Sequence, residues 1–166
     1  VTDAEELLAV AEHLVEPDAA EPNQASLRRA ISTAYYALFH FLGEAASCLV
    51  PTEPPGLVTA FRRTLDHKAM KAACEALMNR QDATIRSLIQ QPLEDDLQQV
   101  SEAFKSLQEA RHIADYNMLH TWTREETLIL IDLARKAMAV WPGVMGRPNT
   151  NVFLMMLSRP INLRRA

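Results

Sequence analysis

Apolar side chains recur at three- and four-residue steps through almost every segment of this chain, and no stretch alternates with the period of two that a half-buried strand needs. The clearest run is Leu27, Ala30, Ile31, Ala34, Leu38 and Phe41. Only four glycines interrupt the 166 residues, while Ala, Leu and Met recur throughout, so propensity and pattern agree. The chain should fold as an all-α protein. With 48% hydrophobic residues it is long enough for one well-buried core and short for two domains.

Start and stop signals place the helices. Thr2 or Asp3 caps a first helix that runs to about Glu16 and is ended by Pro17. Glu21-Pro22-Asn23 opens a second that reaches about Val50, before a loop holding Pro51, Pro54, Pro55 and Gly56. A third covers residues 57–79, and Asp82 caps a short turn before Pro92. A long pattern then runs from Leu93 to about Leu119. Thr123 followed by Glu126 is a capping box, so a last main helix starts at 124, with Pro142-Gly143 as its stop. The expectation is an antiparallel bundle of four to five helices over residues 1–141, followed by a C-terminal extension, 142–166. Within that extension Val152-Phe153-Leu154-Met155-Met156-Leu157 is too apolar to stay exposed. It should form a last turn or strand tucked on the bundle, dock on a second subunit, or be ordered by another partner.

The formal charge of −4 gives no global attraction for nucleic acid. It is unevenly spread: Arg147, Arg159, Arg164 and Arg165 are the only charged residues after 141, which leaves −8 on the residues before them. No apolar run reaches transmembrane length, and the acidic start Val1-Thr2-Asp3-Ala4-Glu5-Glu6 is unlike a signal n-region, so a cytoplasmic, membrane-free protein is expected. Cys48 and Cys74 both sit in helical contexts without metal-ligand spacing, which predicts reduced, buried thiols and no metal or cofactor.

Polar and aromatic side chains concentrate in two distant stretches. In the first, Arg29, Ser32, Tyr36 and His40 form one strip on a helix, and Tyr35 and Phe39 another pair. His40 either satisfies its ring at the edge of the core or stands in a groove, where an imidazole can exchange a proton near neutral pH. In the second, Arg111 and Asp115 lie one turn apart, as do His112 and Tyr116. Arg111 and Asp115 form an ordinary ion pair or the edge of a pocket in which the planar guanidinium grips a phosphate or carboxylate.

These elements carry a resemblance. Arg29-Ala30, then Tyr35-Tyr36-Ala37-Leu38-Phe39-His40, and later Arg111-His112-Ile113-Ala114-Asp115-Tyr116, resemble the HEPN superfamily of small helical bundles, in its subgroup with an Arg-x-x-Ala-Asp-Tyr helix. Trp122-Thr123-Arg124-Glu125-Glu126 resembles the family's entry to its final helix, and the likeness covers about residues 5 to 141. In the first element Ile31-Ser32-Thr33-Ala34 separates the two halves, so its spacing is not the compact form.

The resemblance implies a homodimer and a nucleotide- or RNA-binding regulatory role, with Arg111, Asp115, Tyr116, Tyr36 and Arg29 at the ligand and a nucleotidyltransferase or toxin–antitoxin partner. It also implies an alternative, since many members are metal-independent ribonucleases with an Arg followed after four to six residues by His, leaving 2′,3′-cyclic phosphate ends. Here Tyr116 stands at that position, and a tyrosine with a pKa of about 10 is a poor general base. Catalysis would therefore draw on Arg111 with His112 or His40, or on His120. His112 points about 100° around the helix from Arg111, and His40 joins only if the two motif helices pack together. A purely structural or protein-binding module is the third expectation.

Overall fold

Thr2 begins the first helix by a reciprocal cap, its N–H donating to the Glu5 carboxylate at 2.8 Å while the Glu5 N–H donates to the Thr2 hydroxyl at 3.3 Å. The computed structural model describes residues 2–16, 22–79 and 83–158. The expected stop at Pro17, the opening at Glu21, the cap at Asp82 and the tail arginines Arg159, Arg164 and Arg165 lie outside the described residues. Among those described there are eight α-helices and one 3-10 turn, and no strand. The chain is all-α, as its periodicity requires, with more and shorter helices than the four or five expected.

The helices are α1 (Asp3–His13), α2 (Gln24–Ala46), α3 (Leu57–Thr64), α4 (His67–Asn79), α5 (Ala83–Leu88), α6 (Asp95–Tyr116), α7 (Arg124–Val144) and α8 (Pro148–Leu157), with the 3-10 turn at Ser47–Leu49. Two boundaries differ from expectation for identifiable reasons. Residues 57–79 are two helices because Asp66 caps a new one, its carboxylate accepting from the Ala69 N–H at 2.8 Å. The extended Leu65 before it lays its side chain against Gly43, where a β-carbon would come within 2.9 Å.

Pro142 does not stop α7, which continues to Val144. Proline removes one N–H but leaves the next bond intact, and the Met145 N–H donates to the Trp141 carbonyl at 3.0 Å. The chain turns only at Gly146, whose φ of 78° suits a residue without a β-carbon.

The chain forms two compact units. One combines the residues before Leu42 with Ala103–Ala139, and the other Leu42–Glu102 with the residues from Val140 on. In the first, α1 and α7 run antiparallel: the Glu12 carboxylate pairs with Arg135, and Arg124 Nε donates to the Val15 carbonyl at 2.8 Å. The facing parts of α2 and α6 are also antiparallel, since Ser32 meets Asp115, Tyr36 meets Arg111 and Tyr35 meets Phe104. Tyr35, Phe104, Ile31, Leu38, Leu107 and Ile131 are fully buried there.

In the second unit α8 packs on α4 and α5. Residues 152–157 form most of that helix, with Phe153, Leu154, Met156 and Leu157 buried and Met155 exposed. Asn149 anchors its start, accepting from the Gln90 N–H at 2.7 Å and donating to the Gln90 carbonyl and the Glu94 carboxylate. Truncating Phe153 to alanine would cost about 3–5 kcal/mol by the lost burial and the cavity left behind. Cys74 is buried in this unit, whereas Cys48 is exposed, contrary to the expectation of two buried thiols. The 3-10 turn carries Cys48 outward after α2 has ended.

Candidate functional site

Antiparallel packing of α2 on α6 brings the two motif stretches together. The Ser32 hydroxyl donates to Asp115 Oδ1, and Asp115 Oδ2 lies 2.7 Å from Arg111 Nε, an ion contact without hydrogen-bond alignment. Arg111 Nη2 donates to the Tyr36 hydroxyl at 3.3 Å. The guanidinium carbon stands 5.9, 5.7 and 5.8 Å from the ring centres of Tyr35, Tyr36 and Tyr116. Burial alone would lower the Arg111 pKa, but Tyr36, Asp115, Tyr116 and Tyr35 raise it above the ordinary arginine value. Arg111 is thus a fixed cation with 16% of its side-chain surface exposed, and its Nη1 has no hydrogen-bond partner among the described residues.

The other expected residues divide. His112 and Tyr116 are exposed with ring centres 5.0 Å apart, and Tyr116 retains 68% of its accessible surface. His40 is exposed and lines a separate groove with Asp3, Glu6, Leu7 and Val10, although its ring stacks on Tyr36 at 6.2 Å. Arg111 bonds to no histidine among the described residues. Arg29 is exposed and borders a groove of about 510 Å³ between the first turn of α2 and the end of α6, together with Gln24, Arg28, Asp115, Met118 and His120.

Two residues of this groove were not singled out by the sequence. Arg28 donates from Nη1 to the carbonyls of Ala114 at 2.8 Å and Asn117 at 3.0 Å, and from Nη2 to that of His120. It satisfies carbonyls at and just beyond the end of α6, where no glycine turns the chain. Gln24 holds the following loop, its amide donating to the Trp122 carbonyl at 2.7 Å and accepting from the Trp122 N–H at 2.9 Å. The one local signal was that α6 ends without glycine, which calls for a donor from elsewhere. His120 packs edge-on to Trp122 at 4.5 Å, and His120 Nε2 and Trp122 Nε1 are buried without hydrogen bonds among the described residues.

Thr123 and Glu126 make the expected capping box, with the Thr123 N–H donating to the carboxylate at 2.8 Å and the Glu126 N–H to the hydroxyl at 3.1 Å. Among the described residues no cluster of His, Cys, Asp and Glu could hold a metal ion, and no helix is long and apolar enough to cross a membrane. Fold and site together define an all-α protein with a groove beside a buttressed arginine. Compared with known proteins, the chain matches no family model, no curated protein and no solved structure.

Proposed function

We propose that this chain is a HEPN-like binding or regulatory module that recognises a phosphate-bearing ligand, a nucleotide or RNA, at the α2–α6 face, acting as a homodimer beside a nucleotidyltransferase or antitoxin partner. One observation carries the ligand reading. Arg111 is held by Asp115, Tyr36 and three aromatic rings while its Nη1 edge has no hydrogen-bond partner among the described residues. A guanidinium fixed in this way loses little side-chain freedom when an anion docks.

The test is titration of short RNA and of nucleotides by anisotropy and calorimetry. Arg111→Ala should weaken binding at least tenfold in a folded protein, and Arg111→Lys should restore only part of it because the fork is lost. Unchanged affinity in folded Arg111→Ala removes the reading. Replacing Arg159, Arg164 and Arg165 with Gln separates tail electrostatics from the site: loss there alone would assign binding to the tail.

A second reading, the metal-independent endoribonuclease, is favoured by one contact. Tyr36 bonds to Arg111 and stacks on His40, so the packed motif helices join both side chains to one tyrosine. Arg111 would steady the phosphate while His40 takes the 2′-hydroxyl proton. RNA incubated with chelator should then yield 2′,3′-cyclic ends, lost in Arg111→Ala and His40→Ala. Equal cleavage by wild type and both variants would assign the activity elsewhere.

A further inference from the structure

We propose that the groove between the first turn of α2 and the end of α6 seats a nucleoside monophosphate, with Arg29 holding its phosphate. This rests on the phosphate-binding reading above and adds where the ligand lies and which residue carries its charge.

The argument is the charge balance around the groove. Two negative features border it, and each is met from within the protein. The carbonyls at the end of α6 accept from Arg28, and the Asp115 carboxylate is met by Ser32 and Arg111. Arg29 borders the same groove, is exposed, and makes no side-chain hydrogen bond or ion pair among the described residues. Arg28 and Arg29 therefore leave net positive charge at the groove, and Arg29 is the one of the two whose guanidinium has no hydrogen-bond or ion-pair partner among the described residues, so an anion is favoured there and a metal cation is repelled.

Size and lining select the rest of the ligand. About 510 Å³ is more than a bare phosphate occupies and lies within the range of small-molecule sites. Ala25, Ala114 and Met118 supply apolar walls, while Thr121 adds a polar residue at the edge. A flat heteroaromatic base uses both, covering its faces on the first and bonding its rim to the second. The same chemistry is offered by a free nucleotide and by the 5′-phosphorylated end of an RNA.

Calorimetry on the full chain tests this, using the four ribonucleoside monophosphates, the free nucleosides, ribose 5-phosphate, and a short RNA with and without its 5′-phosphate. At least one monophosphate should bind, with its nucleoside and ribose 5-phosphate each at least tenfold weaker. Arg29→Gln, which breaks no hydrogen bond or ion pair among the described residues, should weaken that monophosphate at least tenfold and leave the nucleoside unchanged. Ala25→Trp should block both by filling the groove. A 5′-phosphate preference in the RNA that is lost in Arg29→Gln identifies the chain end as the source; a preference confined to free nucleotides identifies the mononucleotide. Unchanged monophosphate affinity in folded Arg29→Gln or Ala25→Trp overturns the assignment, as does ribose 5-phosphate binding as tightly as the nucleotide, or no nucleotide or RNA binding at all. Arg111→Ala separates the two ideas. Loss there but not in Arg29→Gln leaves phosphate binding standing and removes the groove, whereas the reverse keeps the groove and makes Arg111 a strut.

Discussion

The Ser32 hydroxyl donates to the Asp115 carboxylate across 83 residues of sequence, so the two motif helices are joined by a charge-assisted hydrogen bond from a nearly buried serine. Ser32→Ala removes the donor and leaves Asp115 with Arg111 alone. Denaturant unfolding should show a loss of about 1–2 kcal/mol, with an unchanged dependence on denaturant concentration.

Arg111 and Asp115 should be coupled. Their side chains are 16% and 30% exposed, so solvent screens the pair only in part. A double-mutant cycle on Arg111→Ala and Asp115→Ala should give a coupling of about 1 kcal/mol, and a value near zero would show that the pair is a crowded contact without net attraction.

Arg28→Ala should destabilise more than its surface position suggests, by about 1–3 kcal/mol, because it strips donors from carbonyls at the end of α6. Amide exchange in residues 114–120 should rise at the same time. Arg29→Ala, one residue on, should leave stability within about 0.5 kcal/mol of wild type.

Acid should weaken the start of α7. The Thr123 N–H and then its hydroxyl hold the Glu126 carboxyl below the ordinary glutamate value of 4.5. A carboxyl lowered in the folded state contributes stability above its unfolded pKa, and that contribution disappears as pH falls through the folded value. Stability measured between pH 6 and 2 should therefore fall less steeply below about pH 4.5 in Glu126→Gln than in wild type.

The two thiols should react at very different rates. Burial, with Glu75 adding to it, pushes the Cys74 thiol far up, whereas Cys48 is exposed. Iodoacetamide should modify one thiol quickly in the native protein, and Cys48→Ser should abolish that fast phase. Cys74 should react only on unfolding.

Local rules were readable where partners lie within one turn. The Thr123–Glu126 box appears as the spacing required, and the apolar steps from Leu27 to Leu38 mark buried positions in α2. Asp66 was hidden because the helical period continues through it, so nothing nearby announces that its carboxylate would cap rather than face solvent. Pro142 misled for the opposite reason, since a proline near a helix end removes one bond without ending the helix. The meeting of Ser32 with Asp115, and of Arg28 with the end of α6, depends on how distant helices pair. The sequence could nominate Arg111 and Tyr36 as polar side chains in search of partners, but not decide that they would partner each other.

The two-way bond between the Gln24 amide and the Trp122 backbone spans 98 residues. During synthesis Gln24 leaves the ribosome long before Trp122 exists, and the whole segment Leu42–Glu102 is made in the interval. A nascent chain that stops short of Trp122 has no groove at the head of α2, however well its early helices form. Assembly of that groove therefore waits until synthesis has passed Trp122, and then comes all at once.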